Sequence, residues 1–173
     1  MGIAGRSRLE SAAMMPRAPI EPEGTFDGLS VSAILLGAFV DVVATTIAAS
    51  LLLLWLAPDV MSKDPAVSRK ALEACHASPA WVACNLVVGA LGTVVGAFVG
   101  ARRAGQLQVR HGGWIAVTST AIAFLLSLVS EPAPVETASP VWADVLAWLL
   151  ILPAGMTGGA LAAALPAAQN REP

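Results

Sequence analysis

The chain has 173 residues, of which 56% are hydrophobic and only 13% charged, with a formal net charge of −2 and a mean hydropathy of +0.71. Soluble domains carry about 25% charged residues, so this composition does not furnish the surface of a water-soluble domain. Nor does the balanced charge give the basic footprint of a nucleic-acid binder. The apolar residues fall in long runs instead of alternating with polar ones, which is the pattern of an integral membrane protein.

Residues 1–28 are polar, mixed in charge and broken by Pro16, Pro19 and Pro22, and are read as a disordered cytoplasmic tail. Their basic residues do not lead directly into an apolar run, and the run that follows is too long for a signal-peptide core. Four apolar segments come next, at 29–57, 81–101, 114–130 and 141–165, before a short tail at 166–173. A spanning helix needs about 20 apolar residues, with a range of about 17–25. The third segment is at the short end, and the first is long enough to tilt or project. Trp55, Trp81, Trp114 and Trp142 stand near segment ends, where interfacial tryptophans collect; Trp148 lies inside its segment.

The connections differ in character. Residues 58–80 form the longest, and Pro65–His76 within it has the composition of a short surface helix. Residues 102–113 ("RRAGQLQVRHGG") read as a basic loop, and 131–140 ("EPAPVETASP") hold two acids and no base. With four spans both termini share a side. That side then holds Arg6, Arg8, Arg17, Arg102, Arg103, Arg110 and Arg171, against Lys63, Arg69 and Lys70 on the other. The excess of Arg predicts both termini in the cytoplasm. "ASPAW" at 77–81 and "ASPVW" at 138–142 open the second and fourth spans, so two related helical hairpins are an expectation, with chance similarity as the rival.

Small residues recur at helical spacing. Gly92, Gly96 and Gly100 repeat every fourth residue with Gly89 beside them, and Gly155, Gly159 and Ala163 do the same in the last span. Such a face lets another backbone approach closely, and close packing drives association where lipid gives no hydrophobic advantage. Packing within one chain and packing against a second copy both fit. The run lacks the spacing of a phosphate-binding loop and follows no strand. The first span repeats the pattern with Gly37, Asp41, Thr45 and Ala49, while Leu36, Val40, Val43, Ile47, Leu51 and Leu54 occupy another face and are expected to meet lipid. Pro153 deprives its helix of one donor to the Leu149 carbonyl.

Asp41 is the residue of interest. A charged acid at mid-membrane costs roughly 2.5–3.5 kcal/mol on insertion scales, and no Lys or Arg lies centrally in any segment. It must hold a proton or accept hydrogen bonds from hydroxyls, with Thr93, Thr118 and Thr120 as interhelical candidates and Thr45 one turn away. Interhelical glue and a proton or cation site are the two readings. Asn85, one turn before Gly89, is expected to hydrogen-bond between helices. Asp144 sits near a helix start, where negative charge is favoured. Cys75 reads as a loop thiol and Cys84 as a small buried one. Their spacing is not that of a metal or redox motif. His76 and His111 read as loop residues with no nucleophile or orienting group, so no catalytic set is expected, and neither a cofactor nor a metal is implied.

The expectation is therefore an all-α membrane protein: a four-helix transmembrane bundle, with the Ala/Gly-rich style of a bacterial inner-membrane protein. Its polar site would be Asp41, Thr45, Asn85 and Thr120, and its packing residues Gly89, Gly92, Gly96, Gly100, Gly155 and Gly159. Its partners would be the lipid bilayer and a second copy or another membrane protein, and not nucleic acid. Two functions fit: a structural or accessory component acting through helix packing, and a small transporter or channel component for protons, cations or a small solute.

Overall fold

A computed structural model describes residues 26–129 and 140–165. The expectations of a disordered tail, an acidic connection and a C-terminal tail fall largely or wholly outside those residues. Four long apolar helices dominate: α1 (Val31–Leu56), α3 (Pro79–Ala104), α4 (Gln108–Val129) and α5 (Val141–Ala164), with a short α2 (Pro65–His76) between the first two. Each long helix has the length and hydropathy needed to cross a membrane, and no strand occurs among the described residues. The protein is a membrane protein by this composition and helix length.

Local chemistry sets the helix ends. Ser30 caps α1 by accepting the Ala33 N–H, and Asp64 caps α2 by accepting that of Ala66, each satisfying a donor that the first turn leaves free. Proline follows the cap of α2 and α3 at the first helical position, where its missing N–H is harmless. Gly105 ends α3 at φ +74°, a left-handed conformation that glycine adopts without strain. α5 continues through Pro153 without interruption.

Two boundaries differ from the sequence reading. The basic loop expected at 102–113 shrinks to residues 105–107, because α3 runs on to Ala104 and α4 begins at Gln108. Polar residues at a span end continue the helix where they reach the interface. His111 is consequently not a loop residue: it is fully buried in the first turns of α4. Its Nε2 accepts the Ser30 backbone N–H at 2.9 Å, and its Nδ1 faces the Leu107 carbonyl at 3.1 Å. The ring proton therefore sits on Nδ1, and the imidazole ties the start of α1 to α4. The two cysteines also exchange roles: Cys75 is buried within α2, and Cys84 is half-buried in α3.

α3 and α4 form an inner pair, with α1 packed against both on one side and α5 against both on the other. The closest approaches run through small residues. A Cβ on Gly96 would stand 2.5 Å from the Gly37 carbonyl oxygen and 2.6 Å from the Asp41 Cβ. Gly112 of α4 meets the Gly155 carbonyl of α5, and Gly158 meets the Val94 carbonyl of α3. The contacts pair rising numbers in α1 with falling numbers in α3, so those helices are antiparallel; α4 and α5 are antiparallel by the same test. Of the glycines in the expected stripe, Gly92, Gly96, Gly100, Gly155 and Gly159 are all buried. Gly89 is the exception, with open space where a Cβ would go.

Candidate functional site

Asp41 lies ten residues after Val31 and Thr93 eleven before Ala104. At 1.5 Å per residue both are about 15 Å from the same end of the bundle, near the middle of a hydrocarbon layer about 30 Å thick. The i, i+4 spacing of Gly37, Asp41 and Thr45 turns all three toward α3. Gly96 lets α3 come close enough for its neighbour Thr93 to reach the carboxyl.

Asp41 is only 4% exposed. Its Oδ1 accepts from the Thr45 hydroxyl at 3.2 Å, and the Thr93 hydroxyl lies 3.3 Å from Oδ1 and 3.2 Å from Oδ2. The same Thr93 oxygen is 3.1 Å from the Gly89 carbonyl. A hydroxyl has one proton to give, so Thr93 cannot serve both acceptors at once. Two arrangements are self-consistent. In one, Thr93 donates to the carboxylate. In the other it donates to the Gly89 carbonyl, and a proton on Asp41 is donated to the Thr93 oxygen. The site is built to be compatible with either form of the acid.

These residues form the floor of a partly open cavity of about 540 Å³ lined by α1, α3, α4 and α5. The polar atoms of Asp41, Thr45, Thr93 and Ser119 gather at the floor, and the upper wall is mainly aliphatic, with Leu86, Leu126, Leu150 and Ile151. From the level of Asp41 the lining extends to Asn85, Leu126 and Ala147, toward the end of the bundle that carries α2. Asp41 is the one titratable residue on its lining, so no Lys, Arg or His there compensates its charge.

The structure brings the expected polar residues together unequally. Thr45 and Thr93 contact the carboxyl directly. Thr120 lines the cavity, but its hydroxyl donates to the Ala116 carbonyl at 2.8 Å. Asn85 is exposed on the wall. Thr118 does not line the cavity; one residue on, Ser119 does. Ser119 is 5% exposed and stands beside the Asp41 carboxyl. Its hydroxyl nonetheless forms no hydrogen bond of good geometry with any described residue. The sequence held a signal for it: Gly112, Ile115, Ala116 and Ser119, the buried residues of α4 after His111, fall at i, i+3, i+4 and i+7 on one helix face.

The four apolar helices and the buried polar floor define a multi-pass membrane protein with a partly open cavity between its helices. Comparison with family models, with curated proteins and with solved structures finds no match, so its chemistry is read from the cavity alone.

Proposed function

We propose that this protein is a small membrane transporter or channel component that holds a proton, cation or small solute at Asp41. The observation that carries the reading is an acid at mid-depth, lining a cavity, with no cationic side chain beside it. An ionisable residue within a span marks a functional site by default, because its insertion is costly. The Arg excess at the end that carries both termini supports a cytoplasmic location for them. The cavity then lies in the outer half of the membrane. The reading includes no catalytic step and no cofactor.

The test is transport in proteoliposomes with an internal pH dye, under imposed proton, sodium or potassium gradients. Asp41→Glu should retain part of any coupled flux and Asp41→Asn should abolish it. Undiminished flux in Asp41→Asn would sink the ionisable-site reading.

The second reading, a structural or accessory component, draws on the small-residue packing. Gly92, Gly96 and Gly100 face α1 and α4 within the same chain, so a partner would have to use another surface. The outward residues of α5, such as Trp148 and Leu149, offer one. Light scattering in detergent separates the two: a stable complex of several copies with no flux favours the accessory role.

A further inference from the structure

We infer that the Asp41 cavity selects primary or secondary alkylammonium ions, a nitrogen cation bearing an apolar group, over metal ions, anions and quaternary ammonium compounds. This rests on the proposed transport role and specifies its substrate class. Four features of the cavity converge on it.

The first is charge. Asp41 faces no basic side chain from any of the four helices, so its counter-charge has to come from a ligand or a proton, and an anion would be repelled. The second is size. The cavity, about 540 Å³, falls in the range of roughly 300–1,000 Å³ typical of small-molecule sites, far larger than a dehydrated metal ion needs. The third is the distribution of polarity. A hard cation such as calcium wants about 6–8 oxygens around it, but here the one carboxylate and the hydroxyls beside it lie on the floor, and the wall, apart from Asn85, Thr46 and Thr120, is aliphatic, with Leu86, Leu126, Leu150 and Ile151. A ligand with a charged head and an apolar body matches both surfaces.

The fourth feature separates kinds of ammonium. Quaternary ammonium groups are held by aromatic cages, and no Phe or Trp lines this cavity. What lies there instead is the buried Ser119 hydroxyl, next to Asp41 and without a hydrogen bond of good geometry. An ammonium N–H can donate to the carboxylate and to the Ser119 oxygen together; a quaternary nitrogen has no N–H to give. The same chemistry is found in a free amine and in the ethanolamine headgroup of a lipid, so the test has to distinguish them.

The experiment is equilibrium dialysis of the purified full-length chain with radiolabelled phenethylammonium, in detergent and in phosphatidylglycerol nanodiscs, which lack ammonium headgroups. Saturable binding at one site per chain is expected, and weakened binding as the pH is lowered and protons compete for Asp41. Propylbenzene, the neutral isostere, should bind more weakly, and so should benzyltrimethylammonium. Asp41→Asn should weaken phenethylammonium binding about tenfold or more, the worth of a charge-assisted hydrogen bond. Ser119→Ala should weaken it about threefold while leaving benzyltrimethylammonium unchanged, which a general structural defect would not do. Ala123→Phe, which fills the cavity from its wall, provides a second variant should Asp41→Asn fail to fold; it should abolish binding. Competition by added phosphatidylethanolamine would identify the headgroup as the source of the same chemistry; its absence would identify free amines. Equal binding of propylbenzene, or tighter binding of benzyltrimethylammonium, would overturn the proposal. Proton or sodium binding at Asp41 without any amine binding would overturn the substrate class and leave the transport reading standing. Failure to bind any cation would remove both.

Discussion

The two ends of the bundle are packed by different rules. Toward the end that carries Ser30, Gly105 and His111, the helices meet backbone to backbone: Gly37 on Gly96, Ala33 on Gly100, Gly112 on Gly155. Toward the other end the same helices draw apart around the cavity. Among the described residues of the four long helices, only Val82 and Ala143 are buried beyond the level of Asp41, Thr93 and Ser119. The polar layer is the boundary between the halves. Small residues hold the backbones together below it, and above it Leu, Ile and Val keep them apart. The difference teaches that a glycine face in a membrane helix positions more than an interface. By clamping one end, it fixes the depth at which an acid and its hydroxyl partners meet.

Breaking the clamp should have the largest effect. At Gly96 an added Cβ would confront the Gly37 carbonyl and the Asp41 backbone, neither of which can rotate aside. Gly96→Ala should destabilise by about 1–3 kcal/mol, the usual cost of overpacking, and Gly96→Leu by more. Thermal unfolding in detergent measures both, and an unchanged midpoint for Gly96→Leu would refute the close contact. Next comes the boundary layer. Thr93→Val keeps the shape and removes the hydroxyl, so it should cost about 0.6 kcal/mol and at most about 1.7, the measured span for interhelical hydrogen bonds in a membrane protein. A larger loss would mean that Thr93 is integral to the clamp.

Substitutions in the open half should be mild. Ala147→Leu adds volume to the cavity wall and should leave stability level or slightly raised, whereas Ala97→Leu, at a position with no exposed surface, should destabilise like the glycine changes. Equal losses at the two sites would erase the distinction between the halves. Gly89→Ala is the smallest change. It belongs to the same ladder as Gly96 but meets nothing within 4 Å. It should stabilise by about 0.5–1 kcal/mol, since alanine is the better helix former.

The topology has its own test. Cys75 is buried, and that burial pushes its thiol pKa up, so less of it is the reactive thiolate at neutral pH and alkylation should be slow. Val67→Cys, on the exposed face of the same short helix, should label faster with a membrane-impermeant maleimide in intact cells. Labelling of Val67→Cys only after lysis would place this connection in the cytoplasm and reverse the proposed orientation.

Much of the architecture was legible because it depends on periods and lengths. The helices at 31–56 and 141–164 lie within a few residues of the expected spans, and Pro65–His76 is a helix as its composition implied. The inward turn of Asp41 followed from the i, i+4 stripe. The differences at 102–113 have one physical source, which is that polar residues mark the end of a membrane helix as readily as a loop. Arg102 and Arg103 sit in the last turn of α3, where positive charge suits the carbonyl end of a helix. His111 is buried because the Ser30 N–H and the Leu107 carbonyl satisfy both ring nitrogens. Neither partner is visible from sequence spacing, since Ser30 is 81 positions away.

The sequence by itself determined that the chain is a helical membrane protein, which residues are small enough for backbones to touch, and that one acid sits at mid-depth among them. These are properties of composition and of a single helix's period. Only the tertiary structure decided that Thr93 and Ser119, not Thr118, stand by that acid, that Gly89 is left out of the clamp, and that the bundle opens into a cavity on one side of the polar layer. Those outcomes depend on how four helices rotate and separate relative to one another, and that is set by the sum of contacts across all of them.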